Sequence, residues 1–358
     1  PLAYAIAALA ATGTNAVRSA TEQPQALEPV VVSASRVTES LASIPYTTQI
    51  IPGQDIAEQA QPGRNLGQIL GQMIPGLAPG DDSATSFYQT LRGRQVLVLI
   101  DGVAQRSSRN ISRQLTTIAP AMIERVEVIS GATAVYGAGA TGGVINIITK
   151  RGADQATRFN TELGLTLNTE NTDADGFTRF GSQTVSGLVG DVDYLVNVSY
   201  EQRGDFYDSE GEQIATDPNQ VSRDNSNTLD ILANIGWQLD ATRSFRLSLE
   251  HFRERQNTDD AADFGAPSPA YLGLPEGIFA AGGDYRPRPQ PGLDLNQQPE
   301  STRDSITLDF SDQDFFDHTL LAQLSYRENE YFFYPYPSQP LFLDISWAGV
   351  AGALQGGA

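Results

Sequence analysis

The sequence has no cysteine and two histidines among 358 residues. The first absence excludes disulfides, thiolate zinc sites and cysteine nucleophiles. The histidines, His251 and His318, are too few and too far apart for a transition-metal site. The sequence has one lysine, Lys150, and a net charge of −20, so it lacks the basic footprint that a phosphate backbone requires. No apolar run approaches the roughly 18 to 20 residues of a membrane-spanning helix. If the chain enters a bilayer, it does so as the strands of a closed barrel. No serine sits in G-x-S-x-G and there is no H-E-x-x-H, so the hydrolase motifs are missing too. No catalytic residue and no metal ligand is assigned.

The acidity is unevenly spread. Residues 28–152 carry 9 acidic and 10 basic side chains, whereas residues 153–358 carry 33 and 12. A compositional boundary therefore falls near Gly152.

Just before it, residues 120–152 hold two β-rich runs, 126–129 and 144–149. Five glycines lie between them: Gly131, Gly137, Gly139, Gly142 and Gly143. Gly137-x-Gly139-x-x-Gly142 fits the dinucleotide fingerprint, but that motif needs a helix to open directly after the glycines. The run VINIIT is β-branched and short, and no acidic residue follows about 20 positions on within a βαβ unit. The context predicts a strand, not a nucleotide site. Upstream, residues 49–51 read as a strand, 53–56 as a helix start, and 64–73 as an amphipathic helix closed by Pro75-Gly76.

Beyond Gly152 the hydrophobic period becomes two. Strands are predicted at 157–168, 177–189, 192–203, 226–239, 243–255, 303–312 and 318–333, polar on one face and apolar on the other. Their connections alternate in length: 190–191, 240–242 and 311–317 are short, and 169–176, 204–225 and 256–302 are long. Outer-membrane barrels have short turns at one end and long loops at the other. A soluble β-sandwich shares the alternation of side chains but gives no reason for the alternation of loops. Asp259, Asp260 and Asp263 in the last long connection are read as a solvated acidic loop rather than a Ca²⁺ site.

Four stretches carry a family resemblance: Asn65-Leu66-x-x-Ile69-Leu70-x-x-Met73-Ile74-Pro75-Gly76, Leu91-Arg92-Gly93, Val96 through Gly102 (VLVLIDG), and the glycine-rich segment with VINIIT. In that order they resemble the plug domain of TonB-dependent outer-membrane receptors, departing from it at Ser130 and Ala132. The resemblance implies an α+β plug followed by the first strands of an antiparallel transmembrane β-barrel. Here that barrel is incomplete, since the family closes it with roughly 22 strands. The expected organisation is a signal-peptide remnant and linker at 1–24, a TonB-box region at 25–36, a plug at 37–152 and the N-terminal part of the barrel at 153–358.

By the same resemblance the TonB box is Glu28, Pro29, Val30, Val31, Val32, Ser33 and Ala34, a β-prone segment suited to strand addition; this reading is favoured over a simple first plug strand, and the two roles can overlap. Two polar stretches, 78–89 and 103–117, match the family's ligand-facing plug loops. They offer Ser86, Phe87 and Tyr88, and Arg106, Ser107, Arg109 and Asn110, the guanidinium forks being suited to anionic groups. Arg92 is expected to lock plug to barrel. The implied activity is TonB-dependent import of a ferric siderophore, with cobalamin as the alternative cargo. A transducing sensor and a soluble β-protein rank lower. The expected partners are TonB with ExbB-ExbD, the chelate and outer-membrane lipid; the protein is expected to be a monomer, without resident cofactor, in the outer membrane after Sec-type signal-peptide removal.

Overall fold

The protein is described from a computed structural model, over residues 31–32, 39–40, 47–60, 64–80, 89–105, 115–133, 138–152, 156–169, 174–214, 224–257, 260–263, 288–291 and 297–332. It has two parts, an N-terminal α+β domain and a seven-stranded sheet against which that domain is docked.

The N-terminal domain begins with a two-residue ladder in which β1 (Val31–Val32) pairs antiparallel with β2 (Glu39–Ser40). Next come β3 (Thr47–Pro52), α1 (Gly53–Gln59) and α2 (Leu66–Met73). Asn65 starts α2 with a reciprocal capping box, its side chain accepting from the Gln68 amide and its own amide donating to the Gln68 side chain, both at 2.9 Å. This satisfies two of the orphan groups at the helix start and places the helix two residues later than the hydrophobic pattern predicts. Then follow β4 (Val96–Ile100), β5 (Val103–Ala104), β6 (Ile123–Ser130) and β7 (Gly143–Thr149). The sheet order is β3-β6-β7-β4-β5, antiparallel except for the parallel β7–β4 pair.

The run VLVLI is apolar at every position because both faces of β4 are covered. Val96, Val98 and Ile100 face a core with Ile56, Leu66, Ile69 and Leu70 of the two helices. Leu97 and Leu99 face a second cluster with Ile129 and Val144. The glycine-rich segment thus delivers the chain into a central strand and opens no helix, which removes the dinucleotide reading. Gly143 is required there: its φ is +146°, and a Cβ would lie 2.3 Å from the Ile129 carbonyl oxygen.

The second part is a meander of β8 (Arg158–Thr166), β9 (Thr178–Val189), β10 (Val192–Arg203), β11 (Ser226–Gln238) and β12 (Arg243–Gln256). After a small antiparallel ladder of β13 (Asp260–Asp263) and β14 (Arg288–Pro291), it resumes with β15 (Glu300–Phe315) and β16 (His318–Phe332). The seven long strands pair in chain order. They match the predicted spans within about three residues, and the connections do alternate short and long. One connection differs: 311–317 is not a loop. β15 runs on to Phe315 through a register irregularity after Asp312, and the turn is Phe316–Asp317, both in the left-handed region. Of the acidic loop residues, Asp260 and Asp263 sit in β13, and Asp259 lies outside the described residues.

The two faces of this wall are opposite in character. On the face away from the N-terminal domain, Leu163 (83% exposed), Leu324, Tyr326, Ile235 and Trp237 form a belt of uncovered apolar side chains. The other face buries polar groups such as Asn197, Asp230, Asn234 and Arg303. Apolar-out and polar-in is the pattern of a lipid-facing barrel wall. Among the described residues no helix is long and apolar enough to cross a membrane.

Candidate functional site

The site is the seam where the N-terminal domain meets the polar face of the wall. A small apolar contact seats it: Met122, in a single helical turn before β6, packs with Leu195 of β10 and Leu232 of β11. Hydrogen bonds from the wall then reach three short stretches of the domain.

The first stretch is 149–150, at the end of β7. The Asn234 amide donates to the Thr149 hydroxyl at 3.1 Å and to the Lys150 carbonyl at 2.7 Å. Thr149 in turn donates its amide and its hydroxyl to the two oxygens of Asp101, at 3.0 and 2.7 Å. Burial pushes the Asp101 carboxyl above its ordinary pKa, against the opposing pull of the Thr149 hydroxyl and amide.

The second stretch is 101–104, the turn from β4 into β5. Gln323 donates to the Asp101 carbonyl at 3.2 Å and Arg327 to the Ala104 carbonyl at 3.0 Å, both from β16.

The third stretch is 117–119. The Arg303 guanidinium, 2% exposed, donates to the Thr117 carbonyl at 2.8 Å and to the Thr117 hydroxyl, and its other contact is the Glu250 carboxylate. Ser305 donates to the second oxygen of Glu250 at 3.1 Å, and the guanidinium carbon lies 5.5 Å from the centre of the Phe252 ring. The Ala119 amide donates to Asp230 at 2.8 Å. An unpaired arginine buried this far would be costly; Glu250 supplies the opposite charge. A cavity of about 30 Å³, lined by Asp101, Gln105, Thr149, Glu250, Ser305 and Arg327 among others, adjoins the first and second stretches.

Of the site residues read from the sequence, Val31 and Val32 are placed in β1, paired to Ser40 and Glu39. Glu28, Pro29, Val30, Ser33 and Ala34 lie outside the described residues, as do Ser86, Phe87, Tyr88, Arg106, Ser107, Arg109 and Asn110. Flanking residues are fixed: Gln89, buried, donates to the Gly67 and Ala78 carbonyls at 2.7 and 3.1 Å. Arg92, expected to tie the domain to the wall, instead occupies an exposed turn. Its φ is +53°, its amide donates to the Gly76 carbonyl at 2.6 Å, and among the described residues it has no acidic partner on the wall. Among the described residues, the arginines that bridge the two parts are Arg303 and Arg327, both contributed by the wall. Sequence reasoning missed both, with Asp230, Glu250 and Asn234. Their only signal was a charged or amide side chain on the polar face of an alternating strand, shared by many neighbours.

Residues 40–144 match the family described as TonB-dependent Receptor Plug Domain. The chain is 35% identical over 357 residues to the rhizobactin receptor of Rhizobium meliloti, a match covering 96% of this chain and 46% of that protein. It is 34% identical to the ferric aerobactin receptor of Klebsiella pneumoniae, covering 87% and 41%. A shorter match, 36% identical over 46% of this chain and 27% of the relative, joins it to the vitamin B12 transporter of Vibrio cholerae. The structure of the alcaligin outer-membrane receptor FauA from Bordetella pertussis shares the fold, with a TM-score of 0.58 at 14% identity, covering 84% of this chain and 42% of that one. The chain thus spans less than half the length of the relatives it matches.

Proposed function

The chain belongs to the TonB-dependent receptor family, and from that premise we propose that it is the plug and first wall strands of a transporter importing a ferric siderophore across the outer membrane. One observation carries the reading. A separately cored plug is held by hydrogen bonds on the polar face of a sheet whose other face is an apolar belt. That is the arrangement of a stopper inside a lipid-embedded pore.

The protein acts by binding and movement, without covalent chemistry. The siderophore docks on the outer loops and on the plug loops bearing Ser86, Phe87, Tyr88, Arg106, Ser107, Arg109 and Asn110. The guanidinium groups of Arg106 and Arg109 match its anionic oxygens. TonB, driven by ExbB-ExbD, captures residues 28–34 as an added strand. Among the described residues, the ladder that capture must replace in this region is the two-residue β1–β2 pair, and each hydrogen bond exchanged contributes about 1 kcal/mol net. The names of the rhizobactin receptor and the ferric aerobactin receptor support a siderophore cargo.

The vitamin B12 transporter match favours cobalamin as a second reading, over a smaller share of the chain. Radiolabelled uptake into cells carrying the intact receptor separates them. Ferric rhizobactin or ferric aerobactin should accumulate in a TonB-dependent manner, with at least about tenfold weaker binding in the Arg106→Ala, Arg109→Ala double variant. Uptake of cyanocobalamin alone would reverse the order, and unchanged binding in the double variant would remove both arginines from the site.

A further inference from the structure

The plug sheet carries two fully buried polar side chains that play no part in the transport reading, Glu127 of β6 and Asn146 of β7. By strand alternation they lie on the face that also bears Leu97, Leu99, Ile129 and Val144. They stand in one row across four strands, Ile50 opposite Glu127, Glu127 opposite Asn146 and Asn146 opposite Leu99. Arg125 donates through two nitrogens to one Glu127 oxygen, at 3.0 and 2.9 Å. Asn146 donates to the other at 3.2 Å, and its own side-chain oxygen accepts from the Gly102 amide at 3.1 Å. That amide belongs to the turn Asp101–Gly102, whose φ angles are +46° and +80°. The turn is tied onward to Thr149 through the Asp101 carboxylate and to the wall through Gln323. A line of hydrogen bonds thus crosses the plug from Arg125 to the seam. Its outer end, Arg125, is 24% exposed and pairs with Pro52 of β3, an edge strand of the sheet.

We propose that Glu127 and Asn146 are positioning residues that couple the β3 edge of the plug sheet to the Asp101–Gly102 turn by which the wall holds the plug. Packing alone does not call for them, since well-packed apolar residues often replace a buried ion pair without loss of stability. What the polar pair adds is dependence. The acceptor that holds the Gly102 amide is itself oriented by a carboxylate two strands away, and that carboxylate is balanced by an arginine at the sheet edge. Members of such a buried network strengthen or weaken together. The coupling deepens the transport reading and rests on it only for the source of the load. A pull on residues 28–34 arrives at β3 before any other strand of the five-stranded sheet. Stripping β3 from β6 admits water beside Arg125 and Glu127, which loosens Asn146 and then the turn at the seam. The plug is thereby released from its edge inward.

The test is hydrogen exchange on the intact receptor in outer-membrane extracts, read at residues 101–104 and 149–150. The Gly102 and Thr149 amides donate to side chains of the line, so they report on it directly. Arg125→Ala leaves Glu127 a buried charge without its cation and should speed exchange there at least about tenfold. Val128→Ala is the control: it loosens the same strand on the opposite face and should leave 101–104 within about threefold of wild type. Adding Glu127→Gln to Arg125→Ala removes the stranded charge and keeps an oxygen for Asn146. The double variant should therefore return to within about threefold of wild type, a rescue that general loosening of the plug would not give. Wild-type exchange at 101–104 in Arg125→Ala, equal acceleration by Val128→Ala, or a double variant as fast as the single one overturns the proposal. If Arg125→Ala does not assemble, Arg125→Lys, which cannot reproduce the two-nitrogen contact, decides it by the same comparison. The exchange criterion needs neither siderophore nor TonB, so failure of the transport reading and failure of the coupling are told apart.

Discussion

Asn234, buried on the inner face of β11, donates 2.7 Å to the carbonyl of Lys150, the residue after the last strand of the plug. The same amide reaches the Thr149 hydroxyl, so one wall side chain ties down the point where the plug hands over to the wall. Replacing Asn234 with Leu leaves the half-buried Lys150 carbonyl without its wall donor, at a cost of about 1 kcal/mol. Limited proteolysis of the intact receptor should show faster cleavage near residue 150, with the wall strands still protected. Unaltered cleavage would show that this bond does not hold the junction.

Gly143 tests the plug sheet itself. Alanine there meets the Ile129 carbonyl at 2.3 Å and must adopt a φ of +146°, a combined cost of about 2–4 kcal/mol. Gly143→Ala should yield an assembled wall with a protease-sensitive plug. A variant with wild-type plug resistance would contradict the close approach.

The belt predicts an asymmetry between faces. Ile235 points away from the plug and is 42% exposed, and Arg on a lipid face costs up to about 2–4 kcal/mol, less toward the strand ends. Ile235→Arg should reduce the heat-modifiable, membrane-assembled fraction, whereas Ser244→Arg on the opposite face should be tolerated. Equal behaviour of the two would undo the assignment of faces.

Asp101 gives a pH signature. Its carboxyl titrates higher folded than unfolded, because burial disfavours the charged form. The folded plug therefore holds the proton more tightly, so this group's contribution to plug stability should fall as pH rises above the ordinary aspartate value. Comparing wild type with Asp101→Asn, the difference in plug denaturation midpoint should grow in favour of the variant as pH rises above about 4. A constant difference would mean that Asp101 titrates normally.

Much of this fold was legible because its signals are local. Alternation in Leu229, Ile231, Ala233 and Ile235 placed β11, and the β-branched VINIIT after the glycines placed β7. The seam was not legible for the opposite reason. Arg303 and Thr117 are 186 positions apart, and nothing in the strand around Arg303 says which plug atom it will meet. Arg92 shows the converse case: its motif drew attention, and among the described residues it makes no ion pair with the wall. The extension of β15 past Asp312 was hidden because Gln313 and Asp314 look like loop residues, yet a ladder that runs beyond the belt accepts polar side chains on both faces.

Energy transfer to the box is the step on which the account stands or falls, and Val31→Pro addresses it directly. Proline removes one backbone donor from the β-prone segment without touching the plug core or the seam. In cells carrying the intact receptor, radiolabelled ferric-siderophore binding should be unchanged while TonB-dependent uptake is lost. Uptake at the wild-type rate with binding intact would contradict strand capture at residues 28–34.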